Sequence, residues 1–366
     1  MRRTALALSA LAMGMAVFAG CGGDDDDSSS SGGGGGGGGE AQKVAVLLPD
    51  TKSSDRWEKA DRPLLQKAFD DLGVPVEIQN AQGDKSAQQQ QAEQAITNGA
   101  KVLLLTNLDS GSGAAIESNA KSRGVKVIDY DRLTLKGSRD YYVSFNNVTV
   151  GKLQGEGLVK CLEGKSNPSI AELNGSPTDN NATLFKQGYD SVLDPLYDGG
   201  KAKKVADQSV PEWDNQQALT IFEQMLQKTN NKIDGVLAAN DGLGNAVISA
   251  LKQRKLPQIP VTGQDATAQG LQNILAGDQC MTVYKDIHKE ADAAAKLAAA
   301  LAKGEKPPAG LINDEADDTS QKVPSVLLQP VSITRENIDQ PIKDASLKRE
   351  DVCTGAVAAL CDEAGL

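Results

Sequence analysis

The chain has 366 residues, 24% of them charged and 39% apolar, which is ordinary soluble composition and enough length for two domains. Its 49 acids outnumber its 38 bases, a formal net charge of −11, so it lacks the basic footprint of a nucleic-acid binder. A single histidine, His288, excludes a multi-histidine metal centre, and five scattered cysteines exclude a zinc ribbon; no metal or cofactor is expected.

Met1-Arg2-Arg3 is a positive start, and Ala5 to Phe18 is an apolar run too short to span a membrane with its flanks. Small residues Ala19-Gly20 end it, so residues 1–20 read as a secretory signal. Val17-Phe18-Ala19-Gly20-Cys21 resembles a bacterial lipobox, which implies cleavage before Cys21 and lipid attachment to it. Residues 21–40 continue as Gly, Asp and Ser with nothing apolar to bury. As a flexible coil such a segment spans roughly 25 Å. The expectation is an exported protein leashed to the extracytoplasmic face of the cell membrane.

From residue 41 onward, short apolar runs alternate with helix-length stretches. The runs are 44–48, 76–78, 102–105, 125–128, 141–143, 169–171, 204–206, 235–238, 259–261, 281–284 and 325–328. Between them, Leu219, Phe222 and Leu226 share one helical face, and Ile287, Ala291, Ala294, Ala298 and Leu301 another. Near-continuous apolar strands alternating with helices predict an α/β protein with parallel sheets covered on both faces. Eleven candidates fit two doubly wound sheets of five or six strands. Beyond Cys21, Cys353 and Cys361 lie close together in the C-terminal tail and are the favoured disulfide. Cys161 and Cys280 are left as either a second bridge or buried thiols.

Open α/β sheets bind ligands beyond the carboxyl ends of their strands. Those positions are dense in Asp, Asn and Arg, and they come from both halves of the chain, so the predicted site is an interdomain cleft. A sugar hydroxyl donates once and accepts twice, which a mixed Asp, Asn, Arg and Lys set matches. The two tryptophans, Trp57 and Trp213, stand among charged neighbours rather than apolar ones, as stacking on a sugar face would explain.

Several ordered stretches carry a family resemblance: Asp129-Tyr130-Asp131-Arg132, Asn174 through Ala182, Ala239-Asn240-Asp241, Gly263-Gln264-Asp265-Ala266 and Met281 through Lys285. Together they resemble the periplasmic D-xylose-binding protein family over about 43 to 340. The resemblance implies a type I periplasmic binding protein, with two doubly wound lobes joined by a three-segment hinge. Lobe 1 is expected at 41–148 plus about 286–328, and lobe 2 at 149–285 plus about 329–366. It implies sugar contacts at Arg56, Asp131, Arg132, Asp179, Asn181, Trp213, Asn240, Asp265 and Lys285, with Trp57 as a possible cleft wall. It also implies a monomeric, non-enzymatic protein that captures a monosaccharide, most plausibly D-xylose, and delivers it to a membrane ABC permease. Ser209 stands where the pattern has an aromatic, and Thr51-Lys52-Ser53-Ser54 is more polar than the pattern.

Plainer roles compete at several positions. Asp241 reads as a helix N-cap ahead of a ligand contact, Asp265 could cap a helix near Ala266, and Asn180 suits a local turn or cap. Gly111-Ser112-Gly113 lacks the Lys-Ser/Thr of a phosphate loop and reads as a turn opening a helix. His288 reads as a solvated or hinge-side histidine rather than a catalyst. The competing functions are a secreted glycoside-acting enzyme working through cleft carboxylates, and a sugar sensor for a chemoreceptor.

Overall fold

The computed structural model describes residues 43–366; the signal over 1–20, Cys21 and the linker through 40 lie outside the described residues. The first sheet contains β1 (Val44–Leu48), β2 (Val76–Asn80), β3 (Val102–Leu105), β4 (Lys126–Tyr130) and β5 (Tyr141–Phe145). The second is built from β6 (Ser169–Asn174), β7 (Lys203–Ser209), β8 (Gly235–Ala238) and β9 (Thr282–Tyr284). Downstream, β10 (Asp314–Asp317) and β11 (Lys322–Leu328) return to the first sheet, and β12 (Val331–Ile333) to the second.

β1 shows why the first sheet forms. All five of its side chains are apolar and buried. Val44, Val46 and Leu48 face one core with Ala294 and Leu297 of the helix Ile287–Ala302, whereas Ala45 and Leu47 face the other with Ala95 and Ile116. A strand covered on both faces has no need of polar alternation. The order is β10-β11-β5-β4-β3-β1-β2, parallel throughout except for the antiparallel β10–β11 pair. β10 reads Asp-Glu-Ala-Asp and is largely exposed, so no apolar signal announced it.

The second half is less regular. β7, β6 and β8 form a parallel ladder, and β9 pairs with β12 antiparallel. The strand expected at 259–261 is reduced to one bridge, Val261 to Val236. Pro260 has no N–H to give a ladder, which explains the break. The segment still joins the two pieces, since Cys280 N donates to Val261 O and Val283 N to Gly263 O. The parallel sheets expected from the sequence are present, but the strand counts of five or six are corrected to a seven-stranded sheet and a bridged three-plus-two arrangement, each with an antiparallel edge.

The chain passes between the two layered halves at three short places: from β5 into the helix Asn147–Cys161, from β9 into the helix Ile287–Ala302, and from β11 into β12. Two of these crossings touch, because Asn146 N donates to Leu328 O. Both cysteine pairs are bridged, Cys161 to Cys280 and Cys353 to Cys361, which settles the pair left open by the sequence. The C-terminal tail packs Ile338, Val352 and Cys361 onto Leu271, Ile274 and Tyr284 of the second half.

Candidate functional site

The carboxyl ends of β1, β4, β6, β7, β8 and β9 converge on one cavity between the halves. Its volume is about 30 Å³, well below the roughly 300–1,000 Å³ of ligand pockets, so the two walls stand close together. Arg56, Trp57, Asp131 and Arg132 line it from the first half, and Asp179, Asn181, Trp213, Asn240, Asp265 and Lys285 from the second. All ten residues singled out in the sequence thus meet here. Ser53, Ser54, Phe185 and Gln264 complete the lining.

Local folding aims these groups. Arg56 precedes a π-helical turn, Trp57–Asp61, in which Arg62 N reaches back to Trp57 O. Such single turns are common at functional sites. Three lining residues have left-handed backbones, Asp131 (φ 63°), Trp213 (φ 57°) and Asp265 (φ 94°). Non-glycine residues avoid this region, and strain of this sort gathers where a side chain must be aimed. Asp179 caps the helix Asn180–Asp198 through Asn181 N, and its second oxygen accepts from Trp213 Nε1 at 3.0 Å. Asn240 caps the helix Asp241–Gln253 through Leu243 N.

Arg56 is the electrostatic centre. Its Nε and Nη2 fork onto Asp61 at 2.8 and 2.7 Å, Nη2 also donates to Glu290 at 2.6 Å, and Nη1 donates to Asp131 at 2.7 Å. Four of its five N–H groups are thereby committed, leaving one on Nη1. Arg132 pairs with Asp179 at 3.2 Å, and Lys285 with Asp265 at 3.1 Å and Asp131 at 3.7 Å. The six charged side chains lining the cavity are only 4–8% exposed. Trp57 is flanked by the Arg56 and Arg132 guanidinium groups at 4.6 and 5.3 Å from its ring centroid.

Burial opposes ionisation of Asp131, but Arg56, Lys285 and Arg132 together hold it below the usual carboxylate range. Burial wins at Asp179, which is raised although Arg132 draws it down. Burial likewise pushes Glu290 up to about 8 against the pull of Arg56, and Asp241 to about 6. Glu290 therefore keeps a proton in the native state that the unfolded chain loses above about pH 4.5. Stability falls wherever the native state holds the extra proton, so between about pH 4.5 and 8 it declines as pH rises, with Asp241 adding the same sign up to about 6. Thermal midpoints measured across this range should fall for the wild type and fall less for Glu290→Gln; parallel curves would contradict the assignment.

Several expectations need correcting. Asp241 is not an N-cap: Asn240 takes that role, and Asp241 is a buried hub accepting from Thr267 N and Oγ1, Gln279 Nε2 and Thr282 Oγ1. Thr267, not Asp265, caps the helix that follows. Asn180 is the first residue of its helix and Asp179 the cap. Gly111 and Gly113 lie inside the helix Ser110–Ser122, capped by Asp109. His288 sits half-exposed beside Asp286, outside the cavity lining. Among the described residues no group of three or more His, Cys, Asp and Glu is placed to hold a metal ion.

A periplasmic binding protein domain model matches residues 44–306. The D-xylose-binding periplasmic protein of Haemophilus influenzae is 38% identical over 312 residues, covering 85% of this chain and 92% of that one. Its Escherichia coli counterpart is also 38% identical, over 313 residues and the same shares. The chain belongs to the D-xylose-binding periplasmic protein family. A carbohydrate-transporter solute-binding protein from Chloroflexus aurantiacus, solved with D-glucose, superposes with a TM-score of 0.78 at 29% identity, covering 85% of this chain and 98% of that one. As in the rest of this family, the fold is a type I periplasmic binding protein, and the role is solute binding for transport rather than catalysis.

Asp61 and Glu290 were missed in this family member, yet both left a trace. Glu290 sits at helical spacing among Ile287, Ala291 and Ala294, and Asp61 between Trp57 and Leu65. A carboxylate on an apolar helix face must have a buried partner, and here one arginine serves both.

Proposed function

We propose that this protein captures a neutral monosaccharide, D-xylose first, between two closing lobes and hands it to an ABC-type permease outside the cytoplasm. The observation that carries this reading is the charge balance of the cavity. Three cations, Arg56, Arg132 and Lys285, face three carboxylates, Asp131, Asp179 and Asp265. Such a lining offers many charge-assisted donors and acceptors with no net charge to favour an ionic solute. Trp57, Phe185 and Trp213 supply apolar wall. The relatives named above bind D-xylose, and the structural neighbour holds D-glucose. Calorimetry against xylose, glucose, ribose, arabinose and inositol should show binding of at least one, with xylose tightest. Silence from all five, with tight binding of an amino acid or peptide, would refute it.

The lobes are taken as 41–148 plus about 286–328 and 149–285 plus about 329–366. The three crossings support that division. The lobes touch through hydrogen bonds across the cleft. Asn181 Nδ2 donates to Asp131 O at 2.9 Å, Ser54 Oγ to Asp265 at 3.1 Å, and Asn240 Nδ2 to Ser53 O at 3.3 Å. A ligand completing these contacts shifts an open–closed equilibrium toward closure.

The working unit is a monomer held to the membrane by lipid on Cys21. Cys21→Ser should release the protein from membranes in a fractionation experiment and leave its sugar affinity unchanged. Undiminished membrane association would remove the anchor from this account.

A further inference from the structure

The polar loop after β1 has a task that neither its chemistry as a surface turn nor the sugar contacts explain. Asp50 Oδ1 accepts from Lys52 N at 2.7 Å and Ser53 N at 2.6 Å, which folds the loop back on itself. The Ser53 hydroxyl is buried at its centre and has three partners. It donates to Asp50 Oδ2 at 2.9 Å, and accepts from Trp57 Nε1 at 2.9 Å and from Arg132 Nη2 at 3.2 Å. A hydroxyl has one donor and two acceptor positions, so every one is filled and none is left for a ligand. Two of the three partners, Trp57 and Arg132, line the sugar cavity from different strands, and they also face each other across the indole.

We propose that Ser53 is a positioning residue for the sugar site: its single hydroxyl locks the Trp57 ring and the Arg132 guanidinium into one arrangement before sugar arrives. The inference rests on the sugar-capture reading above. Arg132 must be held because it pairs with Asp179 on the opposite lobe, and a guanidinium free to swing would break that bridge as often as make it. The Ser53 carbonyl adds a second tie, accepting from Asn240 of the opposite lobe at 3.3 Å. Loop, ring and guanidinium therefore form one rigid edge of the closing cleft. Rigidity of this kind lowers the ordering cost of binding.

The test is a double-mutant cycle with two readouts. Ser53→Ala should weaken D-xylose binding about tenfold, the scale of losing hydrogen bonds to charged and buried groups. In an Arg132→Lys background the same change should cost clearly less, because the group it positions is already altered. In a Trp213→Phe background, where emission reports Trp57 alone, Ser53→Ala should shift the emission of the unliganded protein. If Ser53→Ala does not fold, Ser53→Cys, a little larger and with only a weak donor and acceptor, runs the same cycle. Full affinity in the variant, or strictly additive losses with unchanged Trp57 emission, would overturn the proposal. Wild-type protein that bound no monosaccharide would instead overturn the sugar reading, and this inference with it.

Discussion

Arg56→Ala should fail as a folded protein before it fails as a binder. The arginine is shared by Asp61, Asp131 and Glu290, all fully or nearly fully buried. Removing it leaves the buried carboxylates of Asp61 and Asp131 without compensation, at about 3–5 kcal/mol, and takes a donor from the protonated Glu290. The whole protein is expected to hold only about 5–15 kcal/mol. Tyr130 OH, which donates to Asp61 at 2.6 Å, cannot replace a guanidinium. Arg56→Lys should fare little better, since an ammonium cannot fork onto Asp61 while reaching Asp131. Urea unfolding gives the measurement: the midpoint of Arg56→Ala should drop steeply, and a wild-type midpoint would mean that the three carboxylates do not depend on it.

Trp213→Ala should weaken sugar binding by about 1–3 kcal/mol, by analogy with aromatic stacking on nucleic-acid bases. Two losses act together. The ring wall goes, and Asp179, already raised by burial, loses the indole donor at 3.0 Å. Gly175 is the floor on which the ring rests: a Cβ there would lie 2.0 Å from the Trp213 ring. Gly175→Ala should therefore weaken binding in the same direction by displacing the ring. His288→Ala, away from the cavity, should bind normally. Calorimetry on the three variants decides, and lost binding in His288→Ala with normal binding in Trp213→Ala would put the cleft elsewhere.

The class of fold was readable because a strand such as Val44–Leu48, buried on both faces, leaves an unbroken apolar signature that helices then separate. The lining of the cavity was readable in part for a related reason, since polar residues that follow such strands gather at one edge, and in part through the family resemblance, which singled out Arg56. What escaped is physically different. β10 is an exposed acidic edge that owes its existence to pairing with β11 rather than to burial. The expected strand at 259–261 had the right residues, but Pro260 cannot donate. Asp241 matched the local signature of a cap, and only the fold brings Gln279 and Thr282 to it. The polarity of Thr51-Lys52-Ser53-Ser54 was visible, but not the role of Ser53, because its importance lies in where Trp57 and Arg132 arrive.

The route of the chain through its three crossings bears on how the protein is made. The first sheet gains β11 on its β5 edge only after β6 to β9 of the second half have intervened, with Ser325 set against Tyr142. The helix that buries one face of β1, Ile287–Ala302, is equally late. Until residue 302 has emerged, Val44, Val46 and Leu48 lack their cover, and until residue 328 has emerged, β5 presents an open parallel edge. Pairing across such sequence distance is slow, because the loop entropy is lost before contacts repay it. No fragment that ends short of residue 328 can therefore complete the first sheet, and its final packing waits until most of the chain has been made.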